Sequence, residues 1–291
     1  TMYTFTIIPP FKADEMASAL TGDVMGVEVT VKALAERCNW GNLDHHGPGD
    51  TSATPAACEQ AMWVDLPPIG TTIIGVLGDP DTLTAMAVLK CRSEGFMPPM
   101  AYIKPIGMID RLGPHACPSA MAMTRTKAIR AIAADRSMST AQAVELIAKI
   151  LEGSCDWSMI NGMIEAHAAE LAAVRDRVTH LEVKNGVCLV ESPDMGALSI
   201  GYEYADVIVA RNPTMLLDRA NPAAGGHVKY TICKRDEHVQ CVFDYDALNA
   251  LEGAEGGHWG GRSTIGGSPQ GFSSTLTFEQ VAACLKYTPE E

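Results

Sequence analysis

A chain of 291 residues with 47% hydrophobic side chains is long enough for two domains and apolar enough to fill their cores, which excludes a disordered polymer. Its formal charge of −13, from 22 Lys and Arg against 35 Asp and Glu, comes with no basic run, so long nucleic acid is a poor electrostatic partner. The acid balance suits a divalent-cation site, because hard cations take oxygen ligands, and it serves solubility equally well.

Residues 3–8 alternate and read as a first strand, followed by a short helix over 13–20. Residues 27–31 suit a second strand, and 32–37 continue helically. Leu43 leads into Asp44-His45-His46 and then Gly47-Pro48-Gly49. A helix over 54–62, an apolar β run over 71–77 and a helix over 82–91 follow. This alternation predicts a doubly wound, mostly parallel α/β sheet.

Two helices come next. One is capped by Ser139 or Thr140 and carries Val144, Ile147 and Leu151 on one stripe; the other spans about 156–178. They are expected to connect the domains. Strands over 179–183, 186–191, 205–210, 228–234 and 239–243, with helices over 245–251 and 278–285, predict a smaller second α/β domain. The division expected is 1–136, a helical linker over 137–180, and 181–291. The nine cysteines are scattered without a Cys-x-x-Cys pair, and no run of about 18 apolar residues is present. The expectation is a cytoplasmic protein with reduced thiols and no membrane partner.

Five segments carry chemistry. Asp44-His45-His46 ends a predicted strand, where open α/β sheets bind ligands, and a carboxylate beside imidazoles can hold a transition metal. A polar turn with surface histidines is the plainer account. Gly78-Asp79-Pro80-Asp81 follows the best buried strand; its two carboxylates repel unless a cation joins them, and Asp81 can alternatively serve as a helix N-cap. Asp14 and Glu15 stand at a helix start, which favours carboxylates with or without metal. Asp110 and His115 sit in a segment, 108–115, that reads as a loop. The last segment, 256–271, holds Gly256, Gly257, His258, Gly261 and Arg262 among other glycines. Such a run can turn backbone N–H groups toward an anion, and Arg262 can grip phosphate bidentately.

Together these segments resemble the DHH/DHHA1 phosphoesterase superfamily. The triplet Asp44-His45-His46 matches its namesake motif, the Gly256–Gly257–His258 loop its terminal glycine motif, and the strand ending at Arg235 the one before it. The resemblance implies a DHH-like metal domain and a DHHA1-like substrate domain. It also implies two divalent cations, usually Mn²⁺, that activate water against a phosphoester. The family's first motif has a His ahead of Asp-x-Asp. Here Lys12 stands near that place before Asp14, and Gly75 stands there before Asp79 and Asp81.

The leading expectation is therefore a phosphoesterase acting on a small phosphorylated or nucleotide substrate, using Mn²⁺ with Mg²⁺ or Zn²⁺ as alternatives. Asp44, His45 and His46 are its expected catalytic residues. Asp44, His45, Asp79, Asp81, Asp110 and Asp14 are the candidate metal ligands. Gly256, Gly257, His258, Gly261, Arg262 and Arg235 are the candidate substrate contacts. A homodimer is compatible with the sequence. The competing reading is a non-catalytic nucleotide-binding or regulatory protein of the same fold. A dinucleotide-binding enzyme fits less well, since Ile8-Pro9-Pro10 follows the first strand instead of Gly-x-Gly-x-x-Gly.

Overall fold

The computed structural model describes residues 3–45, 54–112, 120–194, 196–216, 225–235, 238–253, 258–261, 263–269 and 272–288, and separates into two compact units, 1–167 and 168–291. In the first unit, β1 (Thr4–Ile7), β2 (Val24–Val27), β3 (Asn42–Leu43) and β4 (Thr72–Gly75) form a parallel sheet of order β1-β4-β2-β3. Both faces are covered, as a parallel sheet requires. Phe5, Met25 and Ile73 point into one core with α3 (Ala57–Gln60), α4 (Pro80–Ser93), α5 (Met100–Leu112), α6 (Ala120–Ala134) and α7 (Thr140–Glu152). Val24 and Ile74, one residue out of phase, point into a second core with α1 (Ala13–Ala19) and α2 (Lys32–Ala35). The period-2 alternation of side chains sorts these residues to the two faces.

The second strand differs from the expected one. Pairing stops at Val27, and Glu28 turns out of the sheet with φ 51°, a left-handed conformation that costs a non-glycine residue about 1–2 kcal/mol. The acid thus leaves the strand at the carboxyl edge instead of lying within it.

The expected linker over 137–180 is also redrawn. Helix α7 is closed by a Ser139–Gln142 capping box and by Gly153 at φ 76°. Its Val144, Ile147 and Leu151 are buried in the first core against α4, so it belongs to that unit. The division between units falls within α8 (Trp157–Asp176). The segment around Asp110 is helical through Leu112 and is not the expected loop.

In the second unit, β5 (His180–Lys184), β6 (Val187–Glu191), β7 (Val207–Leu216), β8 (Gly226–Lys234), β10 (Gly260–Gly261) and β11 (Ile265–Gly267) make one sheet of order β10-β11-β8-β7-β6-β5. Asn185 and Gly186, both at positive φ, make the two-residue turn that joins β5 to β6. Strands β6 and β7 run parallel and α9 (Ala197–Gly201) lies between them in sequence; the remaining neighbours in this sheet are antiparallel. Strands β9 (Cys241–Phe243) and β12 (Leu285–Tyr287) pair separately, and α10 (Tyr245–Glu252) and α11 (Phe278–Ala283) complete the unit. No helix among the described residues is long and apolar enough to cross a membrane.

Candidate metal centre

Four side chains converge at the carboxyl edge of the parallel sheet, and they come from four different elements. Glu28 follows β2, His45 follows β3, Asp81 lies in the first turn of α4, after β4, and Asp110 lies in the last turn of α5. One ligand atom from each lies within 4.8 Å of the others, so the four can hold a metal ion. Glu28, His45 and Asp81 are buried, and Asp110 is the open side of the cluster.

Each ligand is held by its neighbours. His45 Nε2 is 3.0 Å from Glu28 Oε1 and 2.8 Å from Asp110 Oδ2, so this nitrogen is the one presented to an ion. The Thr82 hydroxyl donates to Glu28 Oε2 at 2.9 Å. Both Asp81 oxygens accept from the N-terminus of α3, from Ala57 N at 2.8 Å and Cys58 N at 3.0 Å. That leaves their remaining lone pairs for an ion and fixes the carboxylate's plane.

Helix α3 also holds the fourth ligand's helix. The buried Glu59 carboxylate accepts from Ala56 N at 3.0 Å and pairs with Arg111, the residue after Asp110, at 3.0 Å. Close approach of α5 makes this pairing reachable: a Cβ on Gly107 would lie 2.7 Å from Glu59 Oε2. A larger residue there would push α5, and Asp110 with it, away from the centre.

The electrostatics demand a cation or protons. Burial, then the Glu28 charge, push the Asp79 carboxyl up to about 7. Asp81 is driven well above its ordinary value by burial and by Glu28 and Asp110. Burial would lower His45, but hydrogen bonds to Asp110 and Glu28 and their charges outweigh it and raise the imidazole to about 10. Without metal, protons on these groups offset the carboxylates; a divalent cation does the same with the groups deprotonated.

The pH dependence of stability has a definite sign. An acid raised in the folded state binds more protons folded than unfolded between about pH 4 and 7, so metal-free stability falls as pH rises through that window. The raised His45 contributes stability that is complete below about pH 6.5 and lost as pH climbs through about 10. Bound metal competes with protons, so its stabilisation grows with pH. Melting temperatures from pH 4.5 to 8 in EDTA and in MnCl₂ should diverge as pH rises. Parallel curves would remove the cation from this cluster.

The candidates from the sequence divide clearly. His45, Asp81 and Asp110 are brought together. Asp79 lies beside them, near enough to feel Glu28 and Asp110, but its Oδ1 accepts from Thr82 N at 2.8 Å and makes it the N-cap of α4, the place expected for Asp81. Asp44 gives its backbone carbonyl to Gln60 Nε2 at 3.1 Å, and its carboxylate is outside the four. Asp14 is exposed in the first turn of α1, also outside them. His46, His115, Gly256, Gly257 and Arg262 lie outside the described residues. Glu28 is the member of the cluster that the sequence does not single out, because it falls inside the predicted strand over 27–31; its signal is an acid directly after the apolar run Val24–Val27.

The glycine-rich segment is partly structural. Gly260 and Gly261 pair with Gly267 and Gly266 as a hairpin on the edge of β8. A Cβ on Gly266 would sit 2.0 Å from the Tyr245 hydroxyl, so glycine is required there for packing. His258 is exposed just before the hairpin. Arg235 follows β8, with its guanidinium on Asp206 and on the Tyr202 carbonyl at 2.6 Å, so it is engaged within the unit. No known family model matches the chain, and none of the curated proteins matches it.

Proposed function

We propose that the chain is a metal-dependent phosphoesterase acting on a small phosphorylated or nucleotide substrate, with Mn²⁺ as its metal. The observation that carries this reading is the Glu28–His45–Asp81–Asp110 cluster at the sheet's carboxyl edge. Three carboxylates and one imidazole suit Mn²⁺, Fe²⁺ or Zn²⁺ better than Ca²⁺, which prefers oxygen alone. A divalent cation held there by Glu28, His45, Asp81 and Asp110 would make water more acidic near neutral pH and would polarise a phosphoryl oxygen. The protein's own part is orientation. Thr82 aims Glu28, the α3 amides aim Asp81, and the Glu59–Arg111 pair holds the helix of Asp110. By the resemblance, His258 and Arg262 are the candidates for recognising a substrate phosphate.

A non-catalytic nucleotide-binding protein is the second reading. What favours it is that Lys12 and Gly75 stand where the first motif of the resembled family has its His. One experiment separates the readings. Metal-free protein is reconstituted with Mn²⁺, its metal content is measured, and it is assayed on bis(p-nitrophenyl) phosphate, dinucleotides, nucleoside bisphosphates and pyrophosphate. Hydrolysis that EDTA abolishes is expected. Saturable nucleotide binding with no turnover of any of these would move the assignment to the second reading.

A further inference from the structure

The second unit holds a cleft that the metal-centre reading does not use. It lies on the α9 face of the six-stranded sheet, lined by Ser192, Ala197, Asn212, Lys229 and Thr231 among others. The register explains the grouping. Ala210 pairs with Thr231 and Asn212 with Lys229, so these side chains share the face on which Ile208 and Cys233 pack. A β-bulge between Asn212 and Met215 breaks the β7–β8 ladder beside it, and bulges of this kind re-aim side chains next to binding sites.

The charges in the cleft are unbalanced in one direction. Its carboxylate, Asp194, is already gripped by Arg177 at 2.6 and 3.1 Å. Lys229 is half-buried, and among the described residues its ammonium meets the Ser268 carbonyl and no carboxylate. Burial lowers its proton affinity, as expected for a cation that lacks a counter-ion. The Thr231 and Ser192 hydroxyls stand on the same wall as donors. The cleft opens to solvent and has room at its polar wall for on the order of two or three waters, enough for an oxyanion headgroup.

We propose that this cleft binds the phosphate group of a small ligand, with Lys229 Nζ as the cation and the Thr231 and Ser192 hydroxyls as hydrogen-bond donors. It is separate from Arg235, which follows the same strand six residues, or roughly 20 Å, further along. The proposal does not depend on the metal centre.

The test uses the full chain with metal removed by EDTA and dialysis. Inorganic phosphate is titrated by calorimetry, and acetate in parallel. Saturable phosphate binding, tighter than that of acetate, is expected, of which one site per chain depends on Lys229. Lys229→Met should weaken it at least roughly tenfold, the effect of losing one charge-assisted contact, while Lys229→Arg retains binding. Thr231→Val should weaken it several-fold, and keeps the test alive if Lys229→Met does not fold. Asp81→Asn, in the other unit, should leave it unchanged. Equal phosphate binding by Lys229→Met and Thr231→Val, saturation by acetate alone, or no saturable phosphate binding by the wild type would overturn the proposal.

Discussion

Asp81→Asn should abolish stoichiometric metal binding, weakening affinity by more than about 100-fold, because loss of outer partners alone costs roughly 10–100-fold. Asp81 is the ligand with least freedom. Both its oxygens are held by α3 amides at 2.8 and 3.0 Å, and it sits buried between Glu28 and Asp110. Asparagine keeps the shape but removes the charge, and its amide turns a donor toward one of those N–H groups. The same change relieves repulsion among the carboxylates, so the metal-free protein should stay folded by circular dichroism. Two controls sharpen the outcome. Asp79→Asn keeps a good N-cap for α4 and should lose far less metal, and Asp14→Asn, exposed on α1, should lose none. Unchanged metal content in Asp81→Asn, or full loss in Asp14→Asn, would relocate the centre to the first strand.

Trp259→Ala should lower the melting point of the second unit by on the order of 10–20 °C, from a loss of about 3–5 kcal/mol. Trp259 is 3% exposed, lies with its ring centroid 5.8 Å from that of Tyr230, and donates from Nε1 to Glu252 Oε2 at 2.9 Å. Glu252 in turn accepts from Ser274 Oγ at 2.6 Å and Thr275 N at 2.7 Å, and Asn249 clasps the backbone of Trp259. Truncation therefore opens a cavity and strips a donor from a carboxylate that depends on it. Burial works to raise Glu252, but these donors outweigh it and hold the group below its ordinary value. Its stabilising contribution is thus complete above about pH 4.3 and fades as pH falls through the folded value. Calorimetry of Trp259→Ala should show the loss in the transition of the second unit, with Mn²⁺ affinity unchanged. A melting point within a few degrees of wild type would show that the loop, and not the core, surrounds Trp259.

The shared placement of ligands explains why only part of the centre was legible in sequence. His45 and Asp81 each follow a strand within a few residues, and polar residues at strand ends are visible as breaks in an apolar run. Asp110 is legible as an acid after apolar residues but not as part of a helix, because Pro105 and Gly107 stand inside that helix and Gly113-Pro114 follow it, all of them residues that ordinarily break helices.

Local pattern by itself determined the strand–helix alternation of the first unit, the β-rich second unit, and the caps of α7, because hydrophobic period and capping chemistry are short-range. Tertiary structure alone decided three things. It joined α7 to the first core, since an amphipathic helix does not encode its partner. It chose Glu28 over Asp44 and Asp14, since which carboxylates share an ion depends on strand order β1-β4-β2-β3 and on a left-handed turn after β2. It also made Asp79 the cap and placed Asp81 in the cluster that could hold an ion. Two residues apart at a helix start, they project in different directions, and only the amides of α3 settle which one faces the centre.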